Sequence, residues 1–486
     1  MKKMIIYRFC ILFLVMPLWT LTKEEQPAPK DDFDTAIYNW TRTFAETINL
    51  TKQRHYKTDN PEECMIKAID AFLNCLDKHS AFLDPKTYKM IMDATSGEFY
   101  GIGVVIDNTR QTKDKYLTII DVIPEGPADK AGLKSMDKIV EIDDKALEGM
   151  TTDEATARIK GPRDSKVQIK VMRDKNQNVL SFDIARDLIN EQNTLAFYLE
   201  DQNICYLLLN SFSDNALKQL EKLIELSKKK EYKALILDLR NNLGGLLTSA
   251  IDIAGIFLDK GTHIVSSRNK DNKETDRYVT RREPLVKNPP PIFILINNYT
   301  ASAAEILAGC LRIHSEEGKN NLQVFIVGSK SHGKGSVQEV IPISNNCAIK
   351  LTTSLYYFSN GITVQGSGLE PDFTIERTYP PTEQMEWYTK NYGHESSSSN
   401  YLKPHDFKEE KKEEKSSKPE PVKNWSDRAK ENLQTDNQFI EAINLVNLFY
   451  LGKSTCKIPM KTRKESLDFM KKNFITNEKI KFTEIK

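Results

Sequence analysis

Short apolar runs alternate with segments of helical periodicity in the second half of the chain. Apolar, β-branched-rich runs at residues 204–212, 233–239 and 291–296 are typical of buried strands. Residues 216–228 and 303–311 instead repeat apolar side chains at helical spacing. Strand, helix and strand in this order favour right-handed crossovers between parallel strands. The pattern therefore predicts an α/β domain with a parallel sheet.

The first half of the chain has two other patterns. Residues 31–96 predict a helical N-terminal region, because apolar side chains recur there at helical spacing. The two apolar faces consist of Ile37, Trp40, Phe44 and Ile48, and of Met65, Ile66, Ile69, Phe72, Leu73 and Leu76. Residues 97–186 contain several short strand-like runs and two short helical segments, which indicates a small β-domain.

The composition changes after the α/β domain, for which the pattern predicts the bounds 187–377. Residues 378–429 are rich in Pro, Ser, Lys and Glu, which predicts a solvated, disordered linker. Residues 430–452 regain helical periodicity and predict a C-terminal helix. Residues 453–486 are basic and are interpreted as a tail.

The N-terminus has the composition of an export segment. Lys2, Lys3 and Arg8 precede an apolar core at residues 9–21, which is short for a membrane span and fits a signal peptide. No small-x-small cleavage pattern follows, so an uncleaved anchor associated with the inner membrane is the alternative for residues 1–21. Either form predicts that the body of the protein is exported to the bacterial periplasm or cell envelope.

Charge and cysteine content narrow the function classes. The 69 Lys and Arg residues nearly balance 68 Asp and Glu residues, so no nucleic-acid partner is predicted. The cysteines include no CxxC pair, and Cys64 and Cys75 on one predicted helix would be about 16 Å apart, too far for a disulfide. The cysteines are therefore interpreted as small apolar core residues, and neither a metal site nor a cofactor is predicted.

Ser302 lies where the strand at 291–296 is followed by the helix at 303–311. The first N–H groups of a helix have no intrahelical partner, so this position suits a nucleophile whose reaction develops an oxyanion. An ordinary helix N-cap is the alternative explanation for a serine here. Gly244 and Gly245, between another strand and helix, permit close backbone approach but lack a phosphate-loop pattern.

A serine nucleophile requires a base, and the candidates near it in sequence are Glu305, His314, His332 and Lys334. Lysine acts as a base only when neutral, which costs about 4–5 kcal/mol at pH 7, and burial can supply such a shift. Gly333 and Gly335 flank Lys334 and would permit its burial. Lys334 is predicted to lie in a glycine-rich turn. In a strand Gln338 would share its face, and direct contact requires a bend at Gly335. Residue spacing by itself leaves the choice of base open.

The β-domain at 97–186 resembles a PDZ domain. The resemblance rests on E-G-P-A-D-K-A-G-L at residues 125–133 and D-K-I-V-E-I at residues 137–142, with Met136 standing where most PDZ modules have glycine. Y-G-I-G-V at residues 100–104 resembles the loop whose N–H groups bind a peptide's terminal carboxylate, while the peptide adds a strand to the sheet edge. The resemblance implies that Ile102 and Val104 line an apolar pocket. It implies substrate contacts at Tyr100, Gly101, Ile102, Gly103 and Val104.

Four motifs of the α/β domain together resemble the carboxyl-terminal processing, or tail-specific, serine peptidases. They are D-L-R-N-N-L-G-G at 238–245, T-A-S-A-A-E at 300–305, G-K-G-S-V-Q at 333–338 and L-T-T at 351–353. The PDZ-like domain and the loop D-K-H-S at 77–80 match the order of that family. The resemblance implies a multidomain α/β protein with a peptidase core of crotonase-like type.

The same resemblance implies the catalytic roles. Ser302 would be the nucleophile, Lys334 the general base and Gln338 the residue that orients the lysine. The oxyanion hole would be formed by the N–H of Ala303 and one N–H of the Gly244–Gly245 pair. Three departures from the usual residues, at Leu243, Ala304 and His332, remove no catalytic group.

The sequence thus predicts a serine endopeptidase that recognises free, apolar C-termini of protein or peptide substrates and cleaves them through an acyl-enzyme. A PDZ-bearing scaffold with an inactive peptidase-like domain is the alternative from another class. A Ser302–His332 pair is the alternative for the chemistry. The polar segment 314–321 is interpreted as an insertion, and the oligomeric state and any adaptor stay open.

Overall fold

A computed structural model of the chain describes residues 33–56, 61–96, 98–107, 116–123, 126–147, 150, 152–173, 178–190, 193–228, 231–376, 433, 436–454 and 460–474. The chain divides into two compact units, Met1–Met65 and Ile66–Lys486. The predicted leader at 1–21 and the predicted linker at 378–429 lie outside the described residues. Within the ranges just given, no helix is both long and apolar enough to cross a lipid bilayer.

The N-terminal region is helical, as predicted. Helix α1 spans Phe33–Arg54 and helix α2 spans Pro61–Asn74. The apolar face of α1 is open to solvent, with Trp40 72% exposed. On α2, Leu73 is buried whereas Phe72 is 54% exposed.

The β-domain that follows is built from short antiparallel strands and two short helices. Its larger sheet has the order β3-β4-β5-β7-β8, with β6 added to β5, and β2 pairs with β9 in a separate ribbon. Met136 adopts a φ of +73° at a turn, which explains why glycine is favoured there. The elements up to the end of this domain are β1 Ala81–Leu83, α3 Pro85–Ser96, β2 Glu98–Gly101, β3 Val104–Asp107, β4 Leu117–Val122, α4 Pro127–Ala131, β5 Lys138–Ile142, β6 Lys145–Ala146, α5 Thr152–Ile159, β7 Lys166–Arg173, β8 Asn178–Ala185 and β9 Asp187–Asn190.

The α/β domain contains two sheets. The parallel sheet predicted from the apolar runs is present, with the order β10-β11-β12-β15-β16-β19 and an antiparallel edge at β10. A second sheet has the order β1-β18-β13-β14, with β17 also paired to β18. The elements of the α/β domain are β10 Thr194–Leu199, β11 Ile204–Leu209, α6 Ala216–Lys228, β12 Ala234–Asp238, α7 Leu247–Ala254, β13 His263–Arg268, β14 Glu274–Val279, β15 Ile292–Ile296, α8 Ala303–Glu316, β16 Val324–Gly328, β17 Ser336–Pro342, β18 Ala348–Phe358 and β19 Phe373–Thr374, with 3₁₀ turns at Glu200–Gln202 and Lys319–Asn321.

The parallel sheet is buried on both faces, which is why its strands are continuous apolar runs. Side chains alternate between the faces, so Leu237 and Ile294 pack against α6, α7 and α8. Their neighbours Ile236 and Phe293 pack on the other face against two C-terminal helices, α9 Asn437–Ser454 and α10 Arg463–Asn473. The result is a three-layer domain whose carboxyl strand edge is left for the loops that follow β12 and β15.

Two polar segments are more ordered than their composition predicts. The proposed tail at 453–486 contains α10, which starts at a Thr462–Glu465 capping box and buries Met470 in the core. The segment 314–321, interpreted as an insertion, begins inside α8, where His314 is fully buried and its Nε2–H donates to the carbonyl of His263 (2.7 Å). In both places buried polar side chains make tertiary hydrogen bonds, as Arg463 does from Nε to the carbonyl of Val324 (2.7 Å), and composition alone does not predict such partners.

The five cysteines within the described ranges divide into two groups. Cys205 and Cys310 are 1% exposed and Cys347 is 9% exposed, as expected for small core residues. Cys64 and Cys75 are exposed free thiols, so the core interpretation is wrong for them. Burial raises the pKa of the Cys310 thiol well above its ordinary value, which makes this cysteine unreactive.

Candidate active site

The loops that follow the neighbouring parallel strands β12 and β15 are held together by hydrogen bonds. Asn297 Oδ1 accepts the N–H of Asn241 (3.0 Å), and the N–H of Ala301 donates to the carbonyl of Asn242 (2.9 Å). The carboxyl ends of adjacent parallel strands form the usual crevice for ligands in such sheets. These hydrogen bonds therefore place Gly244 and Gly245, in the loop after β12, next to Ser302, in the loop after β15.

Ser302 occupies the N-cap position of α8 in an unusual backbone conformation. Its φ is +57° and its ψ is −119°, whereas ordinary N-cap residues are extended. A residue other than glycine costs about 1–3 kcal/mol in such a conformation, and strain of this kind accumulates at functional sites. Ser302 as a whole is half-buried. Helix capping alone does not explain this backbone.

Glu305 connects the Ser302 turn to the glycine-rich loop before β17. Its Oε2 accepts the N–H of Ser302 (2.9 Å) and the N–H of Lys334 (2.9 Å). Its Oε1 accepts the N–H of Gly333 (2.8 Å) and the hydroxyl of Ser331 (2.5 Å). Both amide nitrogens lie 2.9 Å from the same oxygen atom, so the nitrogens of Ser302 and Lys334 are separated by at most twice that distance.

The hydrogen bonds of Glu305 indicate its protonation state. The Ser331 hydroxyl accepts the N–H of Leu369 (2.6 Å), so its own proton is directed at Glu305. All four groups that contact the carboxyl are therefore donors, which favours the carboxylate. Burial raises the pKa of Glu305, and the hydrogen bonds from Ser331, Gly333 and Ser302 oppose that rise. A carboxylate with both oxygens occupied by donors is suited to positioning rather than to accepting a substrate's proton.

The hydroxyl of Tyr356 contacts the same two segments, the Ser302 turn and the loop that carries Lys334. Tyr356 Oη lies 3.0 Å from the carbonyl of Lys334 and 3.4 Å from the carbonyl of Ser302. The side chain is 1% exposed and lies on β18. One carboxylate and one phenol therefore fix the backbones of both residues, although 31 residues of sequence separate them.

Lys334 lies in a loop and not in a strand. β17 begins at Ser336, so Lys334 lies in the glycine-rich turn predicted for it and does not share a strand face with Gln338. The reason is that the Lys334 N–H donates to Glu305 instead of to a neighbouring strand. The two flanking positions require glycine: Gly333 has a φ of +91°, and a Cβ on Gly335 would lie 2.8 Å from the Gln365 nitrogen.

The glycine pair lies directly against the serine. A Cβ on Gly244 would lie 2.8 Å from Ser302 Cβ and 3.0 Å from the Ala303 nitrogen. The Gly244 N–H donates to Asn242 Oδ1 (2.9 Å). Gly245 and Phe212 form an isolated parallel β-bridge. Phe212 makes its hydrogen bonds to the residues on either side of Gly245, so the N–H of Gly245 itself points away from Phe212. Gly245 is exposed and Gly244 is buried.

Two of the four candidate bases are poorly placed. His314 is twelve positions beyond Ser302 on α8, which corresponds to about 18 Å along the helix axis, and it is fully buried. Glu305 is saturated by donors. His332 and Lys334 remain next to the Ser302 turn, since the His332 N–H donates to the carbonyl of Thr300 (3.0 Å) and the Lys334 N–H to Glu305.

The PDZ-like loop has its carbonyl groups bonded inward. The carbonyl of Ile102 accepts the N–H of Ala128 (2.8 Å), and the carbonyl of Gly103 accepts the N–H of Ile123 (2.9 Å). The C=O and N–H of one trans peptide unit point in opposite directions, so the N–H groups of Gly103 and Val104 point away from these partners. The Ile102 side chain is 1% exposed in the domain core, and the expectation that it lines an open pocket is wrong.

Comparison with known proteins gives a consistent family assignment. The sequence profile of peptidase family S41 matches residues 203–375, and the PDZ domain profile matches residues 89–172. A carboxy-terminal-processing protease of Bartonella bacilliformis is 33% identical over 347 residues, covering 71% of this chain and 76% of that protein. The chain belongs to the carboxy-terminal-processing proteases of peptidase family S41.

Two further members of the family are similar to this chain over comparable lengths. The carboxy-terminal processing protease CtpA of Bacillus subtilis is 32% identical over 326 residues, covering 67% of this chain and 66% of that protein. A carboxyl-terminal-processing protease of Synechocystis is 31% identical over 344 residues, covering 68% of this chain and 77% of that protein. The S41 match contains Ser302 and Lys334, and the PDZ match contains the loop at 100–104.

Sequence reasoning missed the roles of Glu305 and Tyr356 in this S41 domain. Glu305 is a candidate base by its place in the sequence, but Ser302 and Glu305 also have the S-x-x-E spacing of a capping box. That spacing predicts the bond from the Ser302 N–H to Glu305. Nothing in the local sequence predicts the bond from the Lys334 N–H, because it joins two loops.

Glu305→Gln is expected to impair both stability and hydrolysis. A glutamine would place an NH₂ group opposite backbone N–H groups, and losing two charge-assisted bonds lowers the free energy of unfolding by about 3 kcal/mol. Because Glu305 then no longer fixes Ser302 and Lys334 relative to each other, kcat/KM is expected to fall by about 100-fold. Denaturant unfolding and peptidase assays measure the two effects.

Glu316→Gln on the same helix is the matched control, because that side chain is 48% exposed and its ion pairs with Arg312 (3.9 Å) and Arg463 (3.4 Å) are long, while Arg463 keeps its shorter pair with Asp372 (2.6 Å). It is expected to leave both quantities nearly unchanged. A Glu305→Gln variant with the stability and turnover of the control would contradict the positioning role.

Proposed function

We propose that the chain is a serine endopeptidase that selects protein substrates by their C-terminal tails and cleaves them with Ser302 as nucleophile and Lys334 as general base. The observation that carries the proposal is the Glu305 carboxylate, whose Oε2 accepts the N–H groups of both residues at 2.9 Å. A carboxylate that joins these two loops at a strained serine supports a preorganised pair.

The proposed reaction begins with attack of Ser302 Oγ on the carbonyl carbon of a peptide bond. The neutral Lys334 Nζ takes the hydroxyl proton as the new C–O bond forms, and the carbonyl π electrons become the oxyanion. When this intermediate collapses, the C–N bond breaks and Lys334 returns the proton to the leaving amine. Water then hydrolyses the Ser302 ester, with Lys334 again taking and returning one proton.

The oxyanion would be bound at the N-terminus of α8. The Ala303 N–H is the first of that helix, where unpaired N–H groups and the helix dipole stabilise negative charge. The second donor is one N–H of the glycine pair. The bond from Gly244 to Asn242 and the outward direction of the exposed Gly245 N–H favour Gly245.

Gln338 is proposed to orient the amine of Lys334. It lies on β17 opposite Thr352 of β18, next to a register shift between Val337 and Gln338. Bulges of this kind redirect side chains and are common beside active sites. Its Nε2 donates to Ser336 Oγ (2.9 Å) and Thr352 Oγ1 (3.3 Å), and its Oε1 would accept a hydrogen bond from Lys334.

Tail selection is assigned to the PDZ domain, with contacts along the Y-G-I-G-V loop at 100–104. The outward direction of the Gly103 and Val104 N–H groups supports capture of a terminal carboxylate. Ile102 would contribute its backbone, since its side chain belongs to the core. Tyr100, 41% exposed, and the half-buried Val104 are the side chains that a docked tail would meet.

Export is proposed from residues 1–21, where a basic start precedes an apolar core. The cell compartment would be the bacterial periplasm or cell envelope, with the segment either cleaved or retained as an inner-membrane anchor. In that compartment the enzyme would meet exported proteins with loosely structured ends. Such ends expose the backbone that an endopeptidase needs.

A free carboxylate on the substrate tail is expected to accelerate cleavage. An unstructured protein substrate ending in Ala, Val or Leu should be cut about 10–100-fold faster than the same chain amidated, because the charge-assisted bonds to the loop are lost. The same substrate ending in Asp should also be cut more slowly. Mass spectrometry of the fragments measures the rates and shows whether the cleaved bond is internal.

Two glycine variants sharpen this test. Gly103→Ala should erase the preference for a free tail, because the new Cβ would be held at a φ of +78° and 3.3 Å from Ile189. Gly132→Ala imposes similar backbone strain, at a φ of +90°, and should keep the preference. Equal rates for free and amidated tails would refute tail selection, and absence of any hydrolysis would refute the peptidase.

A further inference from the structure

The amide of Gln338 is the end of a hydrogen-bond chain that begins outside the peptidase domain. Gln338 Nε2 donates to Thr352 Oγ1 (3.3 Å), and the Thr352 hydroxyl donates to Asp77 Oδ1 (3.1 Å). Asp77 lies between α2 and β1, before the PDZ domain, and outside the S41 and PDZ matches. A residue more than two hundred positions upstream therefore reaches the neighbour of the proposed general base.

The pairing of β1 with β18 explains this contact. Ala81 pairs with Lys350 and Leu83 pairs with Ala348, so the loop immediately before β1 is carried along β18 to Thr352. The Thr352 N–H donates to Ser80 Oγ (3.1 Å). Asp77 is 3% exposed and Ser80 is fully buried. The loop is thus built into the sheet beside Gln338.

Asp77 is surrounded by donors. Its carboxyl oxygens accept the N–H groups of His79 (2.7 Å) and Ser80 (3.0 Å), the Ser80 hydroxyl (2.6 Å) and the Thr352 hydroxyl. Lys350 on β18 lies close enough for Asp77 to oppose the burial that lowers the pKa of this lysine. Four donors hold the aspartate as an acceptor in a fixed orientation.

This arrangement selects one orientation of the Gln338 amide. The single hydroxyl proton of Thr352 is directed at Asp77, so towards Gln338 the hydroxyl can only accept. Gln338 must therefore present its NH₂ group to Thr352, and a second NH₂ proton goes to Ser336 Oγ (2.9 Å). The amide oxygen Oε1 then points away from Thr352. Without the aspartate, the hydroxyl could donate to Oε1 and the amide could turn over.

We propose that Asp77 and Thr352 are positioning residues for the Ser302–Lys334 reaction, which hold the Gln338 amide with its oxygen towards Lys334. The proposal rests on the proposed function, because it gives the Gln338 oxygen its role as an acceptor for Lys334. It links the N-terminal region to the chemistry: a folded loop before the PDZ domain is required for full turnover.

Thr352→Val is the principal test, because it removes the hydroxyl and keeps the shape. It should lower kcat about tenfold, as for one buried hydrogen bond, with little change in KM. Thr352→Ser restores the hydroxyl and should recover most of kcat. Thr353→Val is the matched control, since that hydroxyl donates to Glu339 at an exposed position (2.7 Å), and it should be as active as the unmodified chain.

A double variant distinguishes a positioning role of Thr352 from an effect on the stability of the fold. If Thr352 acts through Gln338, Thr352→Val should cause no further loss of kcat in a Gln338→Ala background, and Asp77→Asn should behave in the same way. Thermal unfolding of each 486-residue variant is measured alongside. Equal kcat for Thr352→Val and Thr353→Val, or losses that add fully to that of Gln338→Ala, would overturn the proposal.

The same series distinguishes this inference from the function on which it rests. Loss of hydrolysis in Ser302→Ala and Lys334→Ala, with an unaffected Thr352→Val, would overturn only the positioning role. Full hydrolysis in Ser302→Ala or Lys334→Ala would overturn the proposed reaction and the inference with it.

Discussion

Ser302→Ala is expected to abolish peptide hydrolysis, with a fall in kcat of about 10⁴-fold or more, as for other removed nucleophiles. The fold should persist, because alanine keeps the Cβ at a φ of +57° and a ψ of −119° and the Glu305 bond is made by the backbone. Turnover of an unstructured protein substrate gives the rate, and circular dichroism gives the fold.

Ser302→Gly provides the control for backbone strain. Glycine adopts positive φ at little cost, so this variant should be equally inactive but more stable than Ser302→Ala by about 1 kcal/mol. Such a gain in stability with a loss of activity is expected of a residue held in a strained conformation for function. Unchanged turnover in either variant would contradict the nucleophile, and an unmodified chain that cleaves nothing would favour an inactive PDZ scaffold.

Lys334→Ala is expected to be as inactive as Ser302→Ala, because it removes the group that takes the hydroxyl proton. Lys334→Arg should also fail, since a guanidinium stays charged and cannot act as a base at neutral pH. The backbone N–H that binds Glu305 is kept in both variants, so their thermal unfolding should resemble that of the unmodified chain. Steady-state kinetics on one substrate compare the three proteins.

His332→Ala is the matched control, two positions earlier in the same loop. Its N–H to the carbonyl of Thr300 is a backbone contact that alanine retains, so most activity should remain. An active Lys334→Ala together with an inactive His332→Ala would reverse the assignment and identify a Ser302–His332 pair.

The local pattern of apolar and polar residues predicts where the helices and strands lie. It does not predict whether a polar segment is buried. The apolar runs predicted the strands of the parallel sheet because that sheet is buried on both faces. The polar composition around His314 does not predict its burial, because a polar side chain can be buried when it finds a partner, such as the carbonyl of His263. The basic C-terminal region contains a packed helix for two reasons that its composition hides: α10 buries Met470 in the core, and Arg463 donates to the carbonyl of Val324.

The sequence by itself determined the α/β class, the PDZ domain, the position of Ser302 between strand and helix and the short motifs that name its candidate partners. Each of these depends on residues within one element or one turn, where spacing and side-chain type suffice. Only the tertiary structure decided that Glu305 joins the backbones of Ser302 and Lys334, and that Asp77 reaches Gln338 through Thr352. These contacts join residues far apart in the chain, and the direction of a hydrogen bond between them depends on strand pairing that no local pattern encodes.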